Sequence, residues 1–71
     1  MPINETLYMQ IRLFNGFCEK FNLSSKDANK IFVDNNIWDY VVKCYDLLHL
    51  SGDDAAMNDI VYILKNKGVQ L

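Results

Sequence analysis

The sequence predicts an all-α domain, a compact four-helix bundle with its third helix at the centre, and three observations carry that prediction. Apolar residues recur at spacings of three and four along most of the chain, and no alternation of period two is long enough to make a strand. Ser24 with Asp27, Asn36 with Asp39 and Ser51 with Asp54 repeat the helix-start spacing of a capping residue and an acid three positions on. The stretch from Asn36 to Leu50, NIWDYVVKCYDLLHL, is apolar around well over half of a helical wheel, whereas a surface helix buries a stripe only about 100° wide. Such a helix needs neighbours on several sides.

After a short lead-in at Met1 to Ile3, helix one is expected over about residues 5–21. Asn4 is its N-cap, and Glu5 sits in the first turn, where a carboxylate favours the positive end of the helix dipole. Leu7, Ile11, Phe14, Cys18 and Phe21 alternate by four and three as the core stripe, widened on one flank by Leu13 and Phe17. Arg12, Asn15, Glu19 and Lys20 lie opposite, while Tyr8 and Met9 fall off the stripe. Helix two, about 25–34, starts on Ser24 and carries a thin stripe of Ala28, Ile31 and Phe32, which places it on the outside. Asn35 and Asn36 end it, because asparagine tolerates the left-handed conformation common at helix ends.

Helix three, about 37–50, is the expected spine, with Asp39 and Lys43 as an i,i+4 ion pair in the favourable order. Helix four, about 54–67, follows the Ser51-Gly52 turn. It is expected to bury Ala56, Met57, Ile60, Val61, Ile63 and Leu64 and to turn Asn58, Asp59, Tyr62, Lys65 and Asn66 outward. Gly68 fits the left-handed position after a helix, with Val69 set to touch Leu64.

Seventy-one residues make a single domain, near the lower limit at which one core suffices, since a chain of this size buries only about 60% of its unfolded surface. Against that, 51% of the residues are hydrophobic and nine are aromatic, enough to leave apolar surface for a partner or a second copy. Seven basic and nine acidic residues give a net charge of −2, the wrong sign for a protein that binds by neutralising phosphates. No apolar run of membrane-spanning length and no signal-peptide pattern is visible, so a cytoplasmic location is expected, without membrane or nucleic-acid partners. Cys18 and Cys44 lie far apart inside helical stripes and read as two buried thiols in a reducing compartment.

The chemistry-bearing residues are few. One histidine and two core-facing cysteines do not make an ordinary zinc site, no phosphate-cradling glycine motif occurs, and no cofactor is expected. Helix two and helix three can be drawn as a helix-turn-helix, but the would-be recognition helix bears one lysine, no arginine and two aspartates. His49, in the last turn of helix three at the edge of its apolar arc, is either a structural histidine near a helix end or, with Asp46, a small-molecule site. The other acids read as caps and as a solvated strip.

The string Cys44-Tyr45-Asp46-Leu47-Leu48-His49-Leu50-Ser51-Gly52, with Asn58-Asp59-Ile60 and Lys67-Gly68 after it, resembles a family of very short bacterial proteins, the domain of unknown function 3791. The likeness covers nearly the whole length, including a Phe-Cys near the end of helix one and a Leu-Ser start to helix two. Where the family pattern has Thr-Gln-Gly after the histidine, this chain has Leu50-Ser51-Gly52. The resemblance marks Tyr45, Asp46, His49, Gly52 and Asp59 as motif residues without an assigned role. It also implies company: such proteins are often encoded beside larger proteins resembling ADP-ribosyltransferases, in the manner of toxin–antitoxin or effector–accessory pairs.

Together these readings lead to the expectation of a non-enzymatic protein–protein interaction module, with a homodimer as the alternative. The expected contact surface is Met9, Leu13 and Phe17 on the flank of helix one and Tyr62 on the outer face of helix four, since aromatic and methionine side chains are favoured at interface cores.

Overall fold

The computed structural model describes residues 4–71, so the lead-in expected at residues 1–3 lies outside the described residues. Among the described residues the chain forms five α-helices and no strand: α1 (Glu5–Phe21), α2 (Ser25–Asp34), α3 (Ile37–Lys43), α4 (Tyr45–Ser51) and α5 (Asp53–Asn66). None of them is long and apolar enough to cross a membrane.

Local chemistry accounts for most of the boundaries. The Asn4 side chain accepts the Leu7 N–H at 3.0 Å, and Ser24 Oγ accepts the Asp27 N–H at 3.2 Å, each satisfying a first-turn donor that has no partner within its helix. Three helices end on a left-handed residue: Asn22 (φ 51°) after α1, Asn36 (φ 58°) after α2 and Gly68 (φ 85°) after α5. At Asn22 and Gly68 the following amides fold back in the paired bonds of a Schellman motif, Leu23 N–H onto Cys18 and Val69 N–H onto Leu64, both at 3.0 Å. Leu23 and Val69 are thereby laid against the core. Asn36 thus ends α2 without capping α3, and Ser51 is the last residue of α4, with its hydroxyl donating to the Leu47 carbonyl at 3.0 Å.

The expected single helix over 37–50 is two helices, which makes the count five. At Cys44 (φ −104°, ψ 15°) the ladder bends: its N–H closes on Tyr40, and its carbonyl receives the Leu48 N–H. The reason is tertiary, for the segment contains neither proline nor glycine. One apolar stripe, Ile37, Val41 and Leu48, serves different partners on the two sides of the bend. α3 packs on α1 and α2, and α4 packs chiefly on α5.

The segment expected at the centre does meet every other helix, and α1 shares that position, packing against α2, α3 and α5. Its fully buried line is Met9, Leu13 and Phe17, while Leu7 and Ile11 are about half exposed. The buried line thus lies one flank away from the stripe expected from the sequence, on the side where α2, α3 and α5 pack against α1. The α3–α4 segment is nevertheless left open on one side, where Leu47 is 70% exposed and Leu50 83%.

Around that line the core is aromatic and dry. Phe17 lies 5.1 Å from Phe32 between ring centroids and 4.9 Å from Phe21; Phe14 meets Phe32 edge-on at 5.3 Å and stacks on Trp38 at 5.1 Å. Trp38 donates its indole N–H to Asn29 Oδ1 at 3.0 Å, and Gln10 Nε2 donates to the Trp38 carbonyl at 2.9 Å. These rings fasten α1, α2 and α3 together. Ala56, Ile60 and Leu64 complete the core from α5. Among the described residues no polar side chain is buried in it.

Two substitutions test this account. Phe32→Ala removes a ring that touches three others and is expected to cost about 3–5 kcal/mol, comparable with the whole margin of so small a core. Loss of a cooperative thermal transition by circular dichroism would register it. Gly16 sits inside α1 where an added Cβ would lie 3.2 Å from the terminal methyl of Met57, the free end of a flexible side chain. Gly16→Ala is therefore expected to stabilise by about 0.5–1 kcal/mol through helix propensity, read as a raised urea midpoint at unchanged m.

Candidate functional site

The N-terminal half of α1 and the start of α4 border an open cleft of about 360 Å³ lined by Glu5, Tyr8, Arg12, Tyr45 and His49. Helical spacing gathers the five. Glu5, Tyr8 and Arg12 follow one another by three and four along α1, and Tyr45 and His49 stand four apart on α4. The bend at Cys44 places Tyr45 at the first position of α4, from which its hydroxyl reaches back to donate to Glu5 Oε2 at 3.0 Å. Its ring stacks on His49, with centroids 5.4 Å apart and planes 17° from parallel. On the opposite wall the Arg12 guanidinium lies over the Tyr8 ring at 5.0 Å.

Arg12 is also the pin between α1 and α5. Its Nε and Nη2 donate to the two carboxylate oxygens of Asp53 at 2.9 and 3.1 Å, a bidentate fork onto the first turn of α5. Gly52 (φ 88°) introduces that turn without a side-chain cap. A second, shallower groove runs on the far side of this pin between α1 and α5, over Gly16 and Met57.

The electrostatics follow from these contacts. The hydrogen bond to Asp53 holds Arg12 still more firmly protonated than a free guanidinium. Tyr45 ionises above the ordinary tyrosine value, chiefly because removing water disfavours the phenolate, and further because its proton is held by Glu5. Tyr40 is pushed up as well, by burial first and then by the neighbouring Cys44 and Asp59. Asp39 and Lys43 form the expected i,i+4 pair at 2.9 Å, well exposed and remote in role from the cleft.

Of the residues singled out in the sequence, the structure brings Tyr45 and His49 together and leaves the others apart. Asp46 is exposed one position beyond Tyr45, Gly52 forms the α4–α5 turn, and Asp59 faces solvent on α5. Tyr62 is 68% exposed on the outer side of α5. Met9, Leu13 and Phe17, expected at a partner interface, are core residues, buried where α2, α3 and α5 pack on α1. Cys18 and Cys44 are half-buried free thiols. No group of three histidine, cysteine or acidic residues is placed to hold a metal ion among the described residues. Sequence reasoning missed Glu5, Tyr8 and Arg12 as site residues. Their one signal was the 3–4 spacing of an acid, an aromatic and a cation on the side of helix one assigned to solvent.

A family model described as a protein of unknown function (DUF3791) matches residues 9–67. No curated protein and no solved structure matches the chain.

The raised tyrosines give a pH prediction. The fold favours the neutral phenols of Tyr40 and Tyr45, so their stabilisation is complete below about pH 10, the ordinary tyrosine value, and is lost as pH rises through their folded values. Urea midpoints measured across the alkaline range should fall above about pH 10, less steeply in Tyr45→Phe. Tyrosinate absorbance should show the wild type ionising in part late and the variant losing part of that late fraction.

Proposed function

The chain belongs to the DUF3791 family, and on that premise we propose that it is a non-enzymatic protein-binding module, an antitoxin-like or accessory partner of a larger protein. The observation that carries this reading is the placement of its exposed apolar side chains. Leu47 and Leu50, three residues apart, stand together on the solvent side of α4 at 70% and 83% exposure. Leu7 and Ile11, four apart, share the outer face of α1, with Tyr8 between them in sequence. A core of this size has more large apolar residues than it buries, and exposed patches of that kind mark interaction surfaces. The contact surface of the proposal is therefore made of these residues and Tyr62.

The cleft supports the non-enzymatic part. Of its titratable groups Arg12 is engaged with Asp53 and Tyr45 with Glu5, the fold favours a neutral Tyr45 phenol, and His49 is stacked on Tyr45, with no acid or nucleophile hydrogen-bonded to it among the described residues. An activated nucleophile or general base requires a group poised to give or take a proton near neutral pH, and this arrangement works against one. The partner class of the proposal is the one the family resemblance implies, a larger ADP-ribosyltransferase-like protein encoded alongside.

Co-expression with the product of the adjoining gene, followed by size-exclusion chromatography, tests the proposal. The two chains are expected to elute together, and the double variant Leu47→Ser, Leu50→Ser is expected to weaken the complex at least about tenfold while keeping its helical circular dichroism. Separate elution at micromolar concentration overturns the reading. A shift of the isolated chain to twice its mass would favour the homodimer, which draws on the same exposed residues.

A further inference from the structure

The cleft between α1 and α4 has a composition that the protein-binding reading alone does not use. Among its lining residues Glu5 is the one carboxylate and Arg12 the one guanidinium, and Arg12 is already matched by Asp53, at the start of α5, in a two-point fork. The surplus charge is negative. Among the described residues Glu5 accepts a single side-chain bond, from Tyr45 on Oε2, and a carboxylate offers about four lone-pair positions on two oxygens, so it can accept from a further donor. The Tyr45 and His49 rings are stacked face to face, within 17° of parallel, beside that carboxylate.

We propose that this cleft receives an arginine side chain of the partner polypeptide, its guanidinium laid against the Tyr45–His49 pair and hydrogen-bonded to Glu5. The inference rests on the protein-binding reading and names the chemistry of the partner at one point of contact. A guanidinium is planar, stacks on aromatic faces and pairs with carboxylates by two parallel bonds, three properties that this pair and its neighbouring carboxylate match and that a compact ammonium matches less well. The cleft already holds one such arrangement, Arg12 over Tyr8 at 5.0 Å. With the incoming side chain in place, Glu5 and Asp53 face two guanidiniums, and the local charge is balanced. A phosphate or carboxylate ligand would instead meet Glu5 at close range and be repelled. The volume, about 360 Å³, lies at the small end of ligand sites, the scale of one long side chain entering from an exposed surface.

The test is a titration of the full chain, followed by amide chemical shifts, with acetyl-Gly-Arg-Gly-amide, its lysine counterpart and its citrulline counterpart, which keeps the shape and loses the charge. The arginine peptide is expected to bind weakly and to shift the amides of Tyr8, Tyr45 and His49. The citrulline peptide should bind about tenfold more weakly or worse, with lysine between them. Glu5→Gln should lower the affinity for the arginine peptide by about tenfold and His49→Ala by several-fold, with helical content unchanged by circular dichroism. Equal binding of the citrulline peptide, an unchanged affinity in Glu5→Gln, or shifts confined to residues away from the cleft overturn the proposal. Arginine binding without a complex on the sizing column would overturn the protein-partner reading alone. A complex whose affinity is unaffected by Glu5→Gln would overturn the arginine site alone.

Discussion

The burial of one line of side chains, Met9, Leu13 and Phe17, is the constraint on which the structure depends. An isolated helix of this length is marginal in water, so α1 owes its order to what packs on that line. Phe32 meets it from α2, at Phe17, and is meshed in turn with Phe14 and with Trp38 of α3, ring centroids about 5 Å apart. From the other side α5 brings Ala56, Ile60 and Leu64, and the missing side chain at Gly16 gives Met57 room to lie against α1. Every other helix is positioned by its access to that line or to a helix that has it.

The bend at Cys44 follows from the same demand. A straight helix from Ile37 onward would continue away from α5, and α5 would keep only α1 beside its buried face. By turning at Cys44 the chain sends Leu48 toward α5 and, as a by-product, aims Tyr45 back at the first turn of α1. The cleft is the space left under that turn. Its walls are joined by polar contacts on the surface rather than by packing: a phenol on a carboxylate at one end and a guanidinium fork at the other. Site and core are therefore built by different forces, and the side chains of the site can be changed with little effect on burial.

The helices were legible because their signals are local. Caps at Asn4 and Ser24, left-handed asparagines at 22 and 36, and the glycine at 68 act within a few residues, and the periodic apolar stripes of α2 and α5 point where the structure points. The break at Cys44 was not legible, because no proline or glycine marks it and it shows only in the different helices on which α3 and α4 pack. The centre of the α1 stripe was misread for a related reason: a wheel shows which residues are apolar, and with two apolar flanks only the partners decide which one is covered. Tyr45 and His49 were singled out in the sequence as a string. Their companions Glu5, Tyr8 and Arg12 lay some 40 residues away, on a face that composition alone assigns to solvent.

Trp38 is the only tryptophan in the chain, and its indole is stacked on Phe14, edge-on to Phe32 and hydrogen-bonded to Asn29. It stands at the junction of α1, α2 and α3, on the opposite side of the Cys44 bend from α4 and α5. Its emission is thus an intrinsic optical probe of one half of the molecule. Detachment of α4 and α5 would pass with little change in that signal, while far-ultraviolet dichroism would register it. Comparing the two signals in one unfolding experiment would show whether a chain this short comes apart as one cooperative unit or as two.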